Sequence, residues 1–156
     1  MAEGHSILRW ARSLRPLAGQ PLVQVDLPKR WAERAAGLPG QHLSEVQTHG
    51  KHLLLHLSGG LTLHCHAMMY GSWQFGRPPL KLRKPEKNVR LRLCTATHEA
   101  VFFNGPVVEL LTTGELRTHK RLTSLGPDIL HPGFDRDQAW ERLRRADDRP
   151  LGDAVL

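Results

Sequence analysis

Thr48-His49-Gly50-Lys51-His52-Leu53-Leu54-Leu55-His56-Leu57-Ser58-Gly59-Gly60-Leu61-Thr62-Leu63-His64-Cys65-His66 decides the fold class. Ser58-Gly59-Gly60 joins the runs His52 to Leu57 and Leu61 to Cys65 by a tight connection, and glycine supplies the positive φ angles that hairpin turns need. Leu61, Leu63 and Cys65 alternate with Thr62, His64 and His66, the period of a strand with one buried face. Lys51 reads as part of a strand following Gly50. Outward from this hairpin, Leu22 to Leu27, His42 to Gln47, Val89 to Cys94, Ala100 to Phe103 and Val107 to Leu111 have the same character. Val89, Leu91 and Leu93, for example, stand against Arg90 and Arg92. The chain is therefore expected to be mainly β. Flanking helices come from a different period: Ile7, Trp10, Ala11 and Leu14 recur at i, i+3, i+4, i+7 and predict a helix ending between Pro16 and Gly19. Phe134, Ala139, Trp140 and Leu143 predict a second helix over Asp135 to Arg145. Gly76 to Lys87, rich in Pro and Lys, predicts a solvated loop.

The 156 residues suit one domain, and 40% hydrophobic residues suffice for a core. Lys plus Arg number 22 against 15 Asp plus Glu, a formal charge of +7, with a sequence pI near 10.1. That balance favours a polyanionic partner, nucleic acid first; a basic protein that binds nothing has the same composition. Cys65 and Cys94 stand too far apart for a Cys-x-x-Cys knuckle, so the expected compartment is intracellular. No apolar run approaches the ~20 residues of a membrane span, and a cytoplasmic protein is expected.

The chain opens Met1-Ala2-Glu3-Gly4. A small second residue permits removal of Met1, which would free the Ala2 α-amine. With a reference pKa of about 7.7–8.0, such an amine is partly unprotonated at neutral pH and can form a Schiff base with an aldehyde. An inert exposed terminus has the same sequence.

These segments together resemble a known family. Met1-Ala2-Glu3-Gly4 before a helix, Thr48 to His56, His66-Ala67-Met68-Met69-Tyr70-Gly71-Ser72-Trp73, Phe103-Asn104-Gly105-Pro106-Val107-Val108-Glu109 and Leu125-Gly126-Pro127-Asp128 follow in order. They look like the N-terminal catalytic domain of the formamidopyrimidine-DNA glycosylase/endonuclease VIII family. Asp148-Arg149-Pro150-Leu151 to Leu156 resembles the entrance to that family's helix-two-turn-helix domain, particularly in the endonuclease VIII branch. The resemblance implies an antiparallel β-sandwich over residues 1–130, whose N-terminal helix carries the active site. It also implies a helix-two-turn-helix region, begun at 131–156 and cut short, with the zinc finger absent. The implied function is base-excision repair of oxidised bases by a DNA glycosylase with apurinic/apyrimidinic lyase activity. The nucleotide is extruded because its sugar carbon is inaccessible inside the stacked duplex, and no cofactor is expected.

Carried over by position, Ala2 takes the nucleophile's place, Glu3 that of the acid/base carboxylate and Lys51 that of the hairpin lysine. Glu3 could shuttle the proton that elimination requires; it also reads as a first-turn charge complementing the helix dipole. Lys51 could reach the phosphate beside the damaged sugar, or simply be solvated. Met68, Met69 and Tyr70 align with the loop that fills the space left by the extruded base, although two Met and a Tyr are also ordinary core material. Asn104 and the loop through Glu109 could shape the lesion pocket, or form only an Asn-Gly-Pro turn. Arg77, Lys81, Arg83, Lys84 and Lys87 form a basic loop that could follow phosphates or merely stay solvated.

Departures from the family pattern matter as well. Ala2 stands where the family has proline, so a primary amine replaces a secondary one and its imine must be protonated to act as an electron sink. Ser6 stands where a second carboxylate is common in the endonuclease VIII branch. Three readings stay open: a glycosylase/lyase acting on damaged double-stranded DNA, with another chain supplying the missing half; a non-catalytic DNA-binding homologue; and a metal-binding β protein built on His52, His56, His64 and His66. Against the last, no Cys or carboxylate accompanies the histidines at ligand spacing in the sequence. A repair protein would associate with the nucleoid. The apolar end Ala154-Val155-Leu156 suggests a missing packing partner.

Overall fold

The computed structural model describes residues 3–128 and 133–145, which fall in two compact units, Met1–Arg117 and Thr118–Leu156. In the first unit, α1 (Gly4–Leu14) is followed by β1 (Gln24–Asp26), the short helix α2 (Ala32–Ala35), β2 (Leu43–His49), β3 (His52–Leu57), β4 (Leu61–His66), β5 (Ser72–Gly76), β6 (Val89–Cys94), β7 (Glu99–Phe103), β8 (Val107–Thr112) and α3 (Thr113–Arg117). The strands form two four-stranded sheets, ordered β2-β3-β4-β8 and β1-β6-β7-β5, with every neighbouring pair antiparallel.

Leucine alternation builds the core. Leu53, Leu55, Leu57, Leu63, Cys65, Val108 and Leu110 from one sheet meet Leu91, Leu93, Ala100 and Phe102 from the other. The buried stripe of α1, Ile7, Ala11 and Leu14, closes the same cluster. At roughly 1.5–3 kcal/mol for each fully buried large apolar side chain, this cluster fixes both sheet registers, because a slip by one residue would turn each strand's apolar set outward.

The expectation of one buried face fails for β4. Thr62 is 4% exposed and His64 is fully buried, on the face turned away from the leucines. Burial is tolerable there because the polar atoms pair with one another: His56 Nδ1 lies 2.9 Å from Thr62 Oγ1, and His64 Nδ1 lies 2.8 Å from Glu109 Oε2. β6 does alternate as expected, Leu91 and Leu93 being buried and Arg90 exposed.

Three further differences have local causes. Lys51 lies in the two-residue turn between β2 and β3, where Gly50 takes φ +55°, rather than in a strand. β5 is an additional strand: Trp73 and Phe75 alternate with Ser72, Gln74 and Gly76 over five residues only, and pairing with β7 fixes its place. The stretch after β5 is not a free loop: Gln74 bonds the Lys81 carbonyl and the Arg83 N–H, and Glu99 accepts the Leu80 N–H.

In the second unit, α4 (Lys120–Thr123) and α5 (Arg136–Arg144) are the described helices. The helix starts one residue later than expected, because Asp135 caps α5 by accepting from the Asp137 and Gln138 N–H groups. The guanidinium of Arg142 donates to the carbonyls of Leu125 and Thr123. Trp140 is 56% exposed. Ala2, Asp148-Arg149-Pro150 and the apolar end Ala154-Val155-Leu156 lie outside the described residues.

Candidate active site

Strand registers gather the candidate residues. His49 pairs with His52, His52 with His66, and His66 with Val107, so the Gly50-Lys51 turn, the loop Ala67–Gly71 and the turn at 104–106 leave the first sheet at one end. In the second sheet Phe103 pairs with both Ser72 and Val89, which brings the end of the basic segment to the same place. The two connections at 67–71 and 104–106 cross from one sheet to the other at this end.

Glu3 joins this end through Lys51. Its carbonyl accepts the N–H groups of Ser6 and Ile7 and so starts α1, while its side chain makes no cap and instead pairs with Lys51 Nζ at 3.2 Å. The two side chains remain 41% and 47% exposed. A pair that open to solvent contributes about 0–1 kcal/mol to stability. Glu3 thus stands at the N-cap of α1, where its charge complements the helix dipole, and its carboxylate faces the hairpin lysine, one residue after Ala2 in the chain. Ser6 is buried, with its Oγ 3.3 Å from His5 Nε2.

Met68, Met69 and Tyr70 are 44%, 58% and 78% exposed, which excludes their reading as core material and leaves three large apolar side chains at the loop tip. The loop is tightly specified. Met68 has φ +49°, the Gly71 N–H donates to the Ala67 carbonyl at 2.8 Å, and a Cβ on Gly71 would stand 2.6 Å from the Ala67 Cα. Asn104 has φ +57°, a conformation Asn tolerates well, and its N–H donates to the Asn88 carbonyl. The expected Asn-Gly-Pro turn is present at the same end as the Met68–Tyr70 loop. Glu109 lies beyond that turn, in β8, hydrogen-bonded to His64 rather than lining the turn.

The basic segment divides. Lys84 Nζ donates to Ser72 Oγ at the loop-bearing end, and Lys87 is exposed shortly before Val89. Lys81 and Arg83 are exposed beside Gln74, midway along β5. Arg77 lies at the opposite end, where Gly76 pairs with Glu99. There it helps to line a surface cavity of about 350 Å³ with Ser13, Leu17, Phe75, His98 and Glu99; that cavity contains none of the other candidates.

The histidines divide too. His52 Nδ1 lies 2.7 Å from His64 Nε2, and the His52 ring packs edge-on against His66 with centroids 4.4 Å apart. His56 sits apart with Thr62 and Gln47. A carboxylate does accompany the group, Glu109, which the sequence hid because it lies 45 residues from His64 and arrives by cross-strand register. The thiol of Cys65 is fully buried and pushed far up by desolvation, so it is no nucleophile at neutral pH.

Comparison with known proteins identifies the family. Residues 1–107 match the family model described as the formamidopyrimidine-DNA glycosylase N-terminal domain. The chain belongs to this family. Among its relatives, the probable endonuclease 8 2 of Streptomyces coelicolor is 37% identical over 159 residues, covering 100% of this chain and 56% of that protein. Endonuclease 8 of Escherichia coli is 36% identical over 149 residues, covering 92% of this chain and 55% of its own length. The chain thus spans about half the length of the curated relatives it matches. The crystal structure of Lactococcus lactis formamido-pyrimidine DNA glycosylase, non-covalently bound to DNA containing an AP site, superposes with a TM-score of 0.73 at 19% identity, over 92% of this chain and 58% of that one. At that identity the likeness concerns the fold, and it is the fold of the glycosylase N-terminal domain. Among the described residues no helix is long and apolar enough to cross a membrane.

Proposed function

We propose that this chain supplies the catalytic half of a base-excision-repair DNA glycosylase with apurinic/apyrimidinic lyase activity, acting on oxidised bases in double-stranded DNA. The observation that carries the reading is the Glu3–Lys51 pair at 3.2 Å, which brings a carboxylate and an ammonium together one residue from the N-terminal amine. With Met1 removed, the Ala2 nitrogen attacks C1′ of the extruded nucleotide, the C1′–base bond breaks, and the departing base takes a proton. Sugar-ring opening then gives an imine between Ala2 and C1′. Because this imine comes from a primary amine, it must hold a proton to draw electrons, and in this reading Lys51 or Glu3 manages that proton. Abstraction of a C2′ hydrogen, with loss of the 3′ phosphate, completes the cleavage. The electron sink is the chain's own terminus, so the reaction needs no cofactor.

Lys51, Lys84 and Lys87 supply cationic contacts to the DNA backbone, while Met68, Met69 and Tyr70 enter the space vacated by the base. Damaged DNA is the partner, met at the nucleoid, and helix-two-turn-helix and zinc-finger elements, whether in further residues of the same protein or in a second chain, would complete the grip. The structural relative bound to AP-site DNA supports the choice of ligand.

Borohydride trapping on a duplex bearing an abasic site tests the proposal, with intact mass reporting Met1 removal. The expected result is a covalent adduct that disappears when the Ala2 amine is blocked. Measurable DNA binding without an adduct, from a chain whose Ala2 is free, refutes catalysis by this chain alone and leaves a DNA-binding homologue.

A further inference from the structure

The histidines of β3 and β4 are unused by the chemistry above, yet they adjoin the loop that the chemistry needs. The Met68 N–H donates to His66 Nδ1 at 3.0 Å. A backbone N–H can only donate, so Nδ1 carries its lone pair and the neutral ring holds its proton on Nε2. That bond closes over a residue at φ +49°, a backbone conformation that methionine rarely adopts unaided. The other end of the loop is closed by the Gly71-to-Ala67 bond. Met68, Met69 and Tyr70 are all exposed, so apolar packing in the free protein does little to set the loop's shape; these two hydrogen bonds do.

The His66 ring is itself held. It packs edge-on against His52, whose Nδ1 meets His64 Nε2 at 2.7 Å, and His64 Nδ1 meets Glu109 Oε2 at 2.8 Å. One proton arrangement satisfies the chain when the rings are neutral. An ionised Glu109 only accepts, so His64 Nδ1 donates; His64 Nε2 then accepts, and His52 Nδ1 donates to it. The His52 ring cannot turn without breaking that bond, and its fixed plane limits the His66 ring in turn.

We propose that His66 is a positioning residue that holds the Met68–Tyr70 loop in the shape required to enter DNA, with Glu109, His64 and His52 as its fixed support. The inference rests on the reading that this loop fills the space left by the extruded base. A loop already shaped for insertion spends less of its contact energy on ordering.

Two substitutions separate the hydrogen bond from the mere presence of a ring. In His66→Asn the side-chain oxygen replaces Nδ1 as acceptor; in His66→Gln the amide moves out toward the Nε2 position and the Met68 N–H loses its partner. The first readout needs no DNA: hydrogen exchange of the Met68 amide in the full chain. Protection is expected in the native protein and in His66→Asn, and its loss in His66→Gln. A native Met68 amide that exchanges at the rate of an unstructured peptide overturns the proposal without recourse to any variant. The second readout is fluorescence of 2-aminopurine opposite an abasic-site analogue, together with the ratio of Kd for lesion and undamaged duplex. His66→Gln is expected to lose the fluorescence rise and about fivefold of the ratio, the equivalent of one ordinary hydrogen bond, and His66→Asn to keep both. Equal behaviour of the two variants, whether both native or both impaired, overturns the positioning role. A protected Met68 amide with no fluorescence response from the native protein instead refutes the insertion reading, and with it the proposal's purpose.

Discussion

Replacing Glu3 by Gln separates stability from chemistry, because the structure assigns the two very different magnitudes. The Glu3–Lys51 pair spans 3.2 Å, but both side chains are nearly half exposed, and exposed ion pairs contribute about 0–1 kcal/mol. The Glu3 carbonyl, not its carboxylate, receives the first N–H groups of α1, so the helix start survives the substitution. Glu3→Gln should therefore lower Tm by no more than about 2–4 °C, the shift that about 1 kcal/mol produces in a chain of this size. Removing a positioned acid/base group costs about 10²–10⁴ in rate, so cleavage of an abasic-site duplex should slow by that much. Single-turnover cleavage with protein in excess measures the step free of product release, and a thermal melt of the same preparation measures stability. A rate loss of less than about tenfold would show that the Glu3 carboxylate carries no proton in the reaction. A fall in Tm well beyond that range would show that the pair is structural and that the exposure argument fails.

Lys84→Ala should weaken binding to abasic-site duplex and lower the magnitude of the salt slope of log Kd by about one, while Arg77→Ala, at the far end of β5, should leave the slope unchanged; equal effects in a salt titration would contradict the register that separates them. Gly105→Ala would place a Cβ 2.1 Å from the Phe102 ring, a core residue 1% exposed, and should destabilise by about 1–3 kcal/mol in urea unfolding; an unchanged midpoint would refute the packing described. Glu115 is held at about 2, below its ordinary value of 4.5, first by its hydrogen bond from Arg34 and then by bonds from Thr112. A depressed carboxylate stabilises the fold above its unfolded pKa and loses that contribution as pH falls. The Tm gap between the native protein and Glu115→Gln should accordingly be full above about pH 5 and close toward pH 2; a gap that widens on acidification would reverse the assignment.

Elements whose signal is local are legible in the chain before it folds. Leu61-Thr62-Leu63 alternates within one strand, Ser58-Gly59-Gly60 turns the chain within a few residues, and Ile7, Ala11 and Leu14 fall on one helical stripe, so strand, hairpin and α1 followed from period alone. The motif at Phe103 to Glu109 and the Met-Met-Tyr loop were likewise legible as contiguous strings. Distance in space was not legible. Glu3 and Lys51 are 48 residues apart and meet because α1 packs on the sheet carrying the β2–β3 turn. His64 and Glu109 meet because β8 pairs with β4, which reverses the expectation that the β4 histidines lie on an open face. β5 carries only the brief alternation of Trp73 and Phe75, and its place is set by the edge that β7 offers. The same sheet order separates Arg77 from Lys84, neighbours in one basic run, to opposite ends of a strand. Short-range periodicity fixes what a segment becomes, since it depends only on which side chains share a face. Which segments become neighbours depends on burying all those faces at once, and only the folded chain satisfies that condition.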